Sequence, residues 1–334
     1  MTDDGRLDIG AIHRLVNLDP PMLRRGEVAE MGGVPSDDTI RWWRAMGFPE
    51  LPDGERAFST QDVDMVRQLN SLLVVGLVDD EDILRLARLM GASFSRLADA
   101  QIAVIDEFLA SLPGADPEQS RRTRLSALVA SPDTSVLDFL EDSMVYVWRR
   151  HLLAAIGRWI SVDDDTTEQA VGFADLSGFS RLTKRVSATD LADTIEAFEA
   201  AAFDVVSSHE GRVVKLIGDE VMFVTPDLDE GVAIAIDLVH RLDGVDIVPP
   251  VHCGVAFGPT VTVGGDVFGP TVNLASRLTE VARPGTIAID RDAGGAIRDR
   301  EDLHVRRVRR HYDLKGVGRT SVLLIRPTEP ATRS

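Results

Sequence analysis

The chain has 334 residues, of which 44% are hydrophobic, so it has enough apolar material for two globular domains. Its 54 acidic and 36 basic side chains give a formal net charge of -18, and the excess of acid is spread over both halves. Such a surface repels nucleic-acid phosphates and acidic lipids, so we expect no nucleic-acid partner.

Cysteine usage and hydropathy indicate a cytoplasmic protein without disulfides. The single cysteine, Cys253, lies in an apolar run and is predicted to be a small buried side chain. The longest apolar stretch, residues 72–78, is far shorter than the roughly 20 residues that span a bilayer. The N-terminus shows no secretory pattern. We therefore expect no membrane span and a cytoplasmic location.

The first half, residues 1–160, is predicted to be an all-α regulatory domain because its apolar residues recur at helical spacing. Loop signals divide most of it into short helices of the size expected in a compact bundle. A long coupling helix is predicted over residues 135–160, followed by an acidic linker at 161–167. The three aspartates at 163–165 are interpreted as solvated linker residues rather than metal ligands.

Residues 25–90 resemble a degenerate MerR-type helix-turn-helix with its following wing. The resemblance rests on EVA at residues 27–29, DTIRWWRAMGF at 38–48 and FSTQDV at 58–63. A DNA reader needs a basic recognition surface, whereas the arginines here have acidic neighbours, so we interpret the module as one used for protein contacts. Trp42 and Trp43 are predicted to be core or interface residues.

The second half changes to alternating strands and helices and predicts an α+β domain over residues 168–326, with a short tail at 327–334. Strands are predicted at 169–175, 212–217, 220–225, 251–257, 286–289 and 320–326, and helices at 189–208, 229–242 and 270–281. Strand, helix, tight hairpin, helix, strand is the order of a ferredoxin-like βαββαβ sheet with helices on one face.

Asp175 and Asp219 each stand where a predicted strand meets a turn. In a split βαβ sheet with adjacent inner strands, their carboxylates can approach each other. Magnesium prefers hard oxygen ligands and typically takes one or two carboxylates plus substrate phosphates. The pair therefore predicts a nucleoside triphosphate site with two divalent ions, Mg2+ or Mn2+. Either aspartate alone could equally serve as a turn residue.

A third segment, DVFGPTVNLASR at residues 266–277, places a carboxylate, an amide and a guanidinium close together in sequence. Asn273 and Arg277 are four residues apart on the predicted helix and therefore project from one face. Asp266 lies in a predicted loop that can reach a nucleobase. Arg277 is suited to phosphate by its fork of donors.

Together these motifs resemble the signature of the class III nucleotidyl cyclases. They are FADLSGF at residues 173–179, KLIGD at 215–219 and the segment 266–277, and the resemblance covers about residues 168–326. An all-helical half ahead of such a domain also resembles the soluble actinobacterial cyclases, whose N-terminal domain restrains catalysis. Some of those respond to acid pH or bind fatty acids. Restraint through the coupling helix, and a small-molecule or lipid effector, are hypotheses for this chain.

The resemblance implies seven functional positions: metal ligands, base-selecting residues, and residues that contact phosphate or stabilise the transition state. These are Asp175 and Asp219 for two metal ions, Lys215 and Asp266 for adenine, Asn273 and Arg277 for the transition state, and Lys315 for the triphosphate. It also implies an adenylate cyclase that makes 3′,5′-cyclic AMP and pyrophosphate from ATP at sites shared within a homodimer. The guanylyl members carry a glutamate and a cysteine at the base-selecting places, so ATP is the expected substrate.

Two other functions remain open. One is a diguanylate cyclase, but Ile217 and Val221 stand where that family has a paired glycine and an aromatic residue. The other is a transcription regulator with a nucleotide-sensing pseudo-cyclase domain. The full set of seven polar positions argues against a dead domain, and the charge balance argues against DNA binding.

Overall fold

A computed structural model describes most of the chain. The described residues are 18–111, 135–160, 167–290, 303–307 and 311–327, together with 12–13, 16, 123–124 and 297. The chain divides into two units, Met1–Ile156 and Gly157–Ser334. Residues 161–166, with the three linker aspartates, and residues 328–334 of the predicted tail lie outside the described residues. Thr167, assigned to the linker from sequence, already begins a strand.

The described part of the first unit is helical, apart from one isolated bridge. Its helices, counted through the end of the coupling helix, are α1 (Arg25–Gly32), α2 (Ser36–Ala45), α3 (Thr60–Val74), α4 (Asp80–Ser111) and α5 (Ser135–Ile160). The coupling helix has the predicted bounds, but the expectation of short helices is wrong, because α4 has 32 residues. It continues through Gly91, where an added Cβ would collide with the Met46 backbone. This glycine serves close helix packing rather than a break.

A small core joins α1, α2 and α3 with the start of α4. Trp42 is buried there, as predicted, with its indole nitrogen 3.3 Å from Asp80 Oδ1. The Trp43 ring lies edge-on to Phe58 at 5.5 Å. At the start of the segment that resembles the wing, Phe58 forms a single antiparallel bridge with Leu23.

Arginines of this helix-turn-helix region are paired with carboxylates. Arg41 contacts Asp38 and Asp80, Arg44 contacts Glu50, and Arg25 contacts Glu50 and Asp53. Most of these pairs are exposed, so each adds little stability. Their effect is to neutralise locally the positive charge that a DNA-reading surface would need.

The second unit is built on a mixed β-sheet. Its strands are β1 (Thr167–Leu176), β2 (Arg212–Ile217), β3 (Glu220–Thr225), β4 (Val251–Val263), β5 (Asp266–Phe268), β6 (Ile287–Asp290), β7 (Leu303–Arg307), β8 (Tyr312–Leu314), β9 (Gly318–Thr320) and β10 (Val322–Pro327). The sheet order is β2-β3-β1-β4-β6-β10-β7, with β5 paired to β4 and with β8 and β9 forming a separate hairpin. The first four strands of that order confirm the predicted ferredoxin-like βαββαβ arrangement.

Helices cover both faces of this sheet, so the prediction of helices on one face is wrong. The helices are α6 (Phe179–Leu182), α7 (Ala188–Ser208), α8 (Leu228–Leu242) and α9 (Pro270–Val281). Ala170 and Ala174 of β1 belong to the core with α7 and α8, whereas Val171 and Phe173 belong to the core with α9. Because β1 side chains alternate, Asp175 lies on the face that α9 covers.

Close packing at Gly254 sets the position of α9. A Cβ on this β4 residue would collide with the backbone of Thr279 in α9. Glycine therefore lets the helix approach the strand directly. Cys253, the residue before Gly254 in β4, is fully buried on the other face, as predicted.

Three features of the second unit were not predicted. β4 extends to Val263 and returns as β5, so Asp266 opens a strand rather than lying in a loop. Strand β7 pairs with β10. The β8–β9 hairpin carries Lys315 in its turn.

A charged histidine ties α7 to α8. His209 follows α7, and its Nδ1 lies 3.0 Å from Glu230 Oε2 while its Nε2 lies 2.9 Å from Asp237 Oδ2. A neutral imidazole has only one N–H, so both bonds require the protonated ring. Burial disfavours the charge, but the hydrogen bonds and charges of both carboxylates outweigh it and raise the pKa of His209.

Among the described helices of both units, none has the length and apolar character needed to cross a bilayer.

Candidate functional site

Asp175 and Asp219 are brought together by the pairing of β1 with β3. Asp175 lies opposite Glu220 in that ladder, and the Leu176 N–H donates to the carbonyl of Asp219 at 3.2 Å. Gly218 makes the tight β2–β3 turn possible with a left-handed φ of 66°. The Asp219 carboxylate is near enough to raise the pKa of Asp175. The approach predicted from the split βαβ order is therefore present within one chain.

The electrostatics of this cluster fit a divalent cation. Burial and the nearby Asp219 carboxylate raise the pKa of Asp175 to about 6. Burial, with Asp175 and Asp219 next, raises the pKa of Glu220 to about 7. Carboxylates that resist ionising beside each other gain most from a nearby positive charge.

The described residues contain no cluster of three or more His, Cys, Asp or Glu side chains arranged to hold a metal ion. The two aspartates would thus supply only part of a coordination shell. Water and substrate phosphate oxygens are the usual remaining ligands of Mg2+. The donor set fits a cation that arrives with a nucleotide.

Lys215 and Asp266 form the second polar pair. Lys215 Nζ lies 2.9 Å from Asp266 Oδ1 and 2.6 Å from Oδ2. The Val267 N–H donates to Oδ1 at 2.8 Å, and the Phe268 ring centroid lies 5.7 Å from Nζ. The two charged side chains are 35% and 32% exposed. A donor, an acceptor and an aromatic ring are therefore adjacent and accessible to a flat heterocycle.

Among the described residues, no hydrogen bond or ion pair joins the other three predicted residues to these pairs. Asn273 is exposed on α9, and Arg277, one turn later, pairs with Glu280 of the same helix. Lys315 is exposed in the β8–β9 turn. Within the described chain, no hydrogen bond or ion pair links Asn273, Arg277 or Lys315 to either aspartate.

Sequence reasoning missed two residues that flank Asp175. Glu220 was not among the predicted site residues, although its position directly after Asp219 was a usable signal. His252 of β4 lies opposite Asp175 in the β1–β4 ladder, with Nε2 3.4 Å from Asp175 Oδ2. Burial, the largest effect, lowers the pKa of His252. No sequence pattern indicated this neighbour, because it depends on the register of two distant strands.

Known proteins resemble this chain over both units. Residues 163–326 match the family described as "Adenylate and Guanylate cyclase catalytic domain". An "Adenylate cyclase" of Streptomyces coelicolor is 38% identical over 268 residues, 79% of this chain and 68% of that protein. Another, from Streptomyces griseus, is 37% identical over 268 residues, 79% of this chain and 65% of that protein. The chain thus spans about two thirds of the length of these relatives.

Among solved structures, the catalytic core of a rhodopsin-guanylyl cyclase with converted specificity in complex with ATPalphaS aligns with a TM-score of 0.44. It is 22% identical and covers 50% of this chain and 99% of that one. The match of the family domain, with the similarity to the Streptomyces relatives over most of the sequence, shows that this chain belongs to the class III adenylate and guanylate cyclases of the actinobacterial type.

Proposed function

We propose that this chain is an adenylate cyclase that converts ATP into 3′,5′-cyclic AMP and pyrophosphate. The observation that carries the proposal is the contact of Lys215 with Asp266 beside Phe268. This contact places a donor and an acceptor side by side, as recognition of a purine edge requires. The names of the Streptomyces relatives support the same activity.

Base selection follows from hydrogen-bond chemistry. The Lys215 ammonium can donate to N1 of adenine, and the Asp266 carboxylate can accept from its exocyclic amine. Guanine has N–H at N1 and a carbonyl in place of that amine, so both contacts would fail. Each mismatched bond costs on the order of 1–3 kcal/mol when the protein group is left unpaired. Because both side chains are about one third exposed, the lower end applies here.

The metal end of the site would be Asp175 and Asp219, which hold Mg2+ or Mn2+, two ions per site in this proposal. A cation there would lower the pKa of the ribose 3′-hydroxyl and offset charge on the triphosphate. In the reaction the 3′-oxygen bonds to the α-phosphorus, the bond to pyrophosphate breaks, and the hydroxyl proton passes to solvent.

Residues of α9 and the β8–β9 turn would act on the phosphates. Arg277 would stabilise charge on the α-phosphoryl group, and Asn273 would orient the ribose. Lys315 would contact the triphosphate. These roles are positioning and electrostatic, so they depend on rigid placement of the three side chains rather than on proton transfer by them.

Two copies of the chain would build each site. Asn273 and Arg277 make no hydrogen bond or ion pair with the aspartates within the described chain, and Lys215 is paired with Asp266. In a two-fold dimer, the aspartates of one copy could face the base-selecting and α9 residues of the other. Exposed apolar side chains on the β4–β5 hairpin, Val261, Val263 and Phe268, support burial against a partner.

The N-terminal half would regulate catalysis through α5. Many large apolar side chains on this helix are exposed, including Tyr146, Trp148 and Trp159, the last at 79%. A helix of this kind needs a packing partner, and a change of partner could move the catalytic halves between two arrangements. Restraint predicts that residues 161–334 alone outperform the whole chain. Identical activity and pH profiles for the two proteins would remove the restraint hypothesis.

One assay tests the function directly. Purified chain is incubated with Mn2+ and either ATP or GTP, and the cyclic products are identified. Cyclic AMP from ATP, with little product from GTP, is the expected result. Turnover of GTP alone would overturn the base-selection argument, and a cyclic dinucleotide would indicate a diguanylate cyclase. No product from a folded protein that binds nucleotide would indicate a sensing domain.

A further inference from the structure

His252 lies in β4 directly opposite Asp175. Its side chain is 14% exposed, whereas that of Asp175 is 31% exposed. On the other side of Asp175, β3 places Glu220 in the equivalent paired position. The Asp175 carboxylate thus lies between a histidine on one neighbouring strand and a second carboxylate on the other.

The polar neighbours of His252 favour one tautomer of its ring. Nε2 lies 3.4 Å from Asp175 Oδ2, and Nδ1 lies 3.0 Å from Ser177 Oγ. At 3.4 Å this contact is longer than an ordinary hydrogen bond, but an ionised carboxylate can only accept, so the tautomer that suits Asp175 has its proton on Nε2. Nδ1 of the neutral ring then accepts from the Ser177 hydroxyl. The result is an ordered array from Ser177 through His252 to Asp175.

The array is anchored to the backbone at its far end. The Ser177 N–H donates to the carbonyl of Pro250 at 3.0 Å, which fixes Ser177 against the residue before β4. Ser177 in turn restrains rotation of the His252 ring. A ring held on both sides presents Nε2–H to Asp175 in one orientation.

We propose that His252 is a positioning residue for the metal end of the site. By holding Oδ2 of Asp175, it sets the rotation of the carboxylate and leaves the other oxygen to bind a divalent cation together with Asp219. This role rests on the proposed function of the two aspartates as metal ligands. Partners of this kind, once removed, typically weaken metal binding on the order of 10–100-fold.

The test measures Mn2+ binding to the whole chain without nucleotide, by electron paramagnetic resonance of free Mn2+. His252→Leu removes the donor at similar volume, and we expect its Mn2+ affinity to fall on the order of 10-fold or more. His252→Gln restores an N–H donor at a similar reach and should recover most of that loss. His304→Leu, at an exposed position on β7, is the control and should bind as the wild type does.

Steady-state kinetics add a second readout. For His252→Leu, we expect the Mn2+ concentration at half-maximal rate to rise while the KM for ATP changes little. A merely structural role would instead lower the melting temperature and affect both quantities equally. Equal losses in His252→Leu and His252→Gln, or unchanged Mn2+ affinity in His252→Leu, would overturn the positioning role while leaving the proposed function intact. A wild-type chain that binds no Mn2+ would overturn the metal site itself, and the positioning role with it.

Discussion

Replacing Asp219 by asparagine should stabilise the metal-free protein. The raised pKa of Asp175, from 3.8 to about 6, corresponds to about 3 kcal/mol between its charged and neutral forms. Burial is the largest cause and persists in the variant, and the Asp175 side chain is 31% exposed, so solvent screens part of the repulsion. We therefore expect the free energy of unfolding of the variant to be about 1 kcal/mol higher at pH 7.5. For a unit of this size, this corresponds to a rise of roughly 2–4 °C in melting temperature.

The pH dependence has a definite sign. Because the pKa of Asp175 is higher in the folded state, the folded chain binds more protons than the unfolded chain between about pH 4 and pH 6. This contribution makes the free energy of unfolding decrease as pH rises through that window. In Asp219→Asn the decrease should be shallower, since one source of the raised pKa is gone.

Calorimetry of the metal-free protein across pH 4–8 measures both effects on the transition of the second unit. Asp193→Asn, a neutralised carboxylate in an exposed position on α7, is the matched control and should leave the transition unchanged. Added Mn2+ should stabilise the wild type more than Asp219→Asn. A lower melting temperature for metal-free Asp219→Asn at pH 7.5, or an unaltered pH slope, would refute the repulsion argument.

Three further predictions concern base choice, subunit sharing and pH. The double variant Lys215→Glu and Asp266→Cys should shift turnover from ATP toward GTP, on the order of 10-fold or more in relative kcat/KM; an unchanged preference would exclude these residues as the base selectors. Chains with Asp175→Ala and chains with Arg277→Ala should each be inactive, yet random mixing should restore about a quarter of wild-type activity, because half the dimers carry one intact site of two; no recovery in a verified heterodimer would contradict shared sites. The raised pKa of His209 means that its stabilising contribution is complete below the unfolded value near pH 6.5 and is lost as pH rises through the folded value. In His209→Gln, the free energy of unfolding measured in urea should no longer show this decrease with rising pH. A pH profile identical to that of the wild type would show that the two carboxylates do not stabilise the protonated ring.

Local sequence patterns predicted the elements that carry five of the seven site residues; Asp266 of β5 and Lys315 of the β8–β9 turn are the exceptions. Strand and helix spacing placed β1, the β2–β3 hairpin and α9 within a few residues of their observed bounds. The order of these elements then implied neighbouring inner strands, which is why the approach of Asp175 and Asp219 could be predicted. The elements were predicted from residues close together in the sequence, and their arrangement from an element order that allows few sheet topologies.

Features that depend on long-range pairing could not be predicted in the same way. Alternation shows which residues share a face of a strand, but it does not name the residue across the ladder. His252 becomes a neighbour of Asp175 only through the β1–β4 register. Likewise, the collision that a side chain at Gly254 would cause with α9 depends on a helix folding back over the sheet. A glycine in the sequence is compatible with the close approach of another segment, but it does not identify that segment.

In a chain without substrate, the two polar pairs have different effects on folding stability. Lys215 and Asp266, which form the base-binding end of the site, pair with each other before a nucleotide binds. Adenine must therefore replace an existing ion pair. Asp175 and Asp219 have the same charge, with Glu220 beside them, so the metal end stays unsatisfied until a cation binds. A partly buried cluster of like charge lowers folding stability and is retained where it serves binding or catalysis. Most of the stabilisation on substrate binding should therefore arise at the metal end, while the base end determines which nucleotide is accepted.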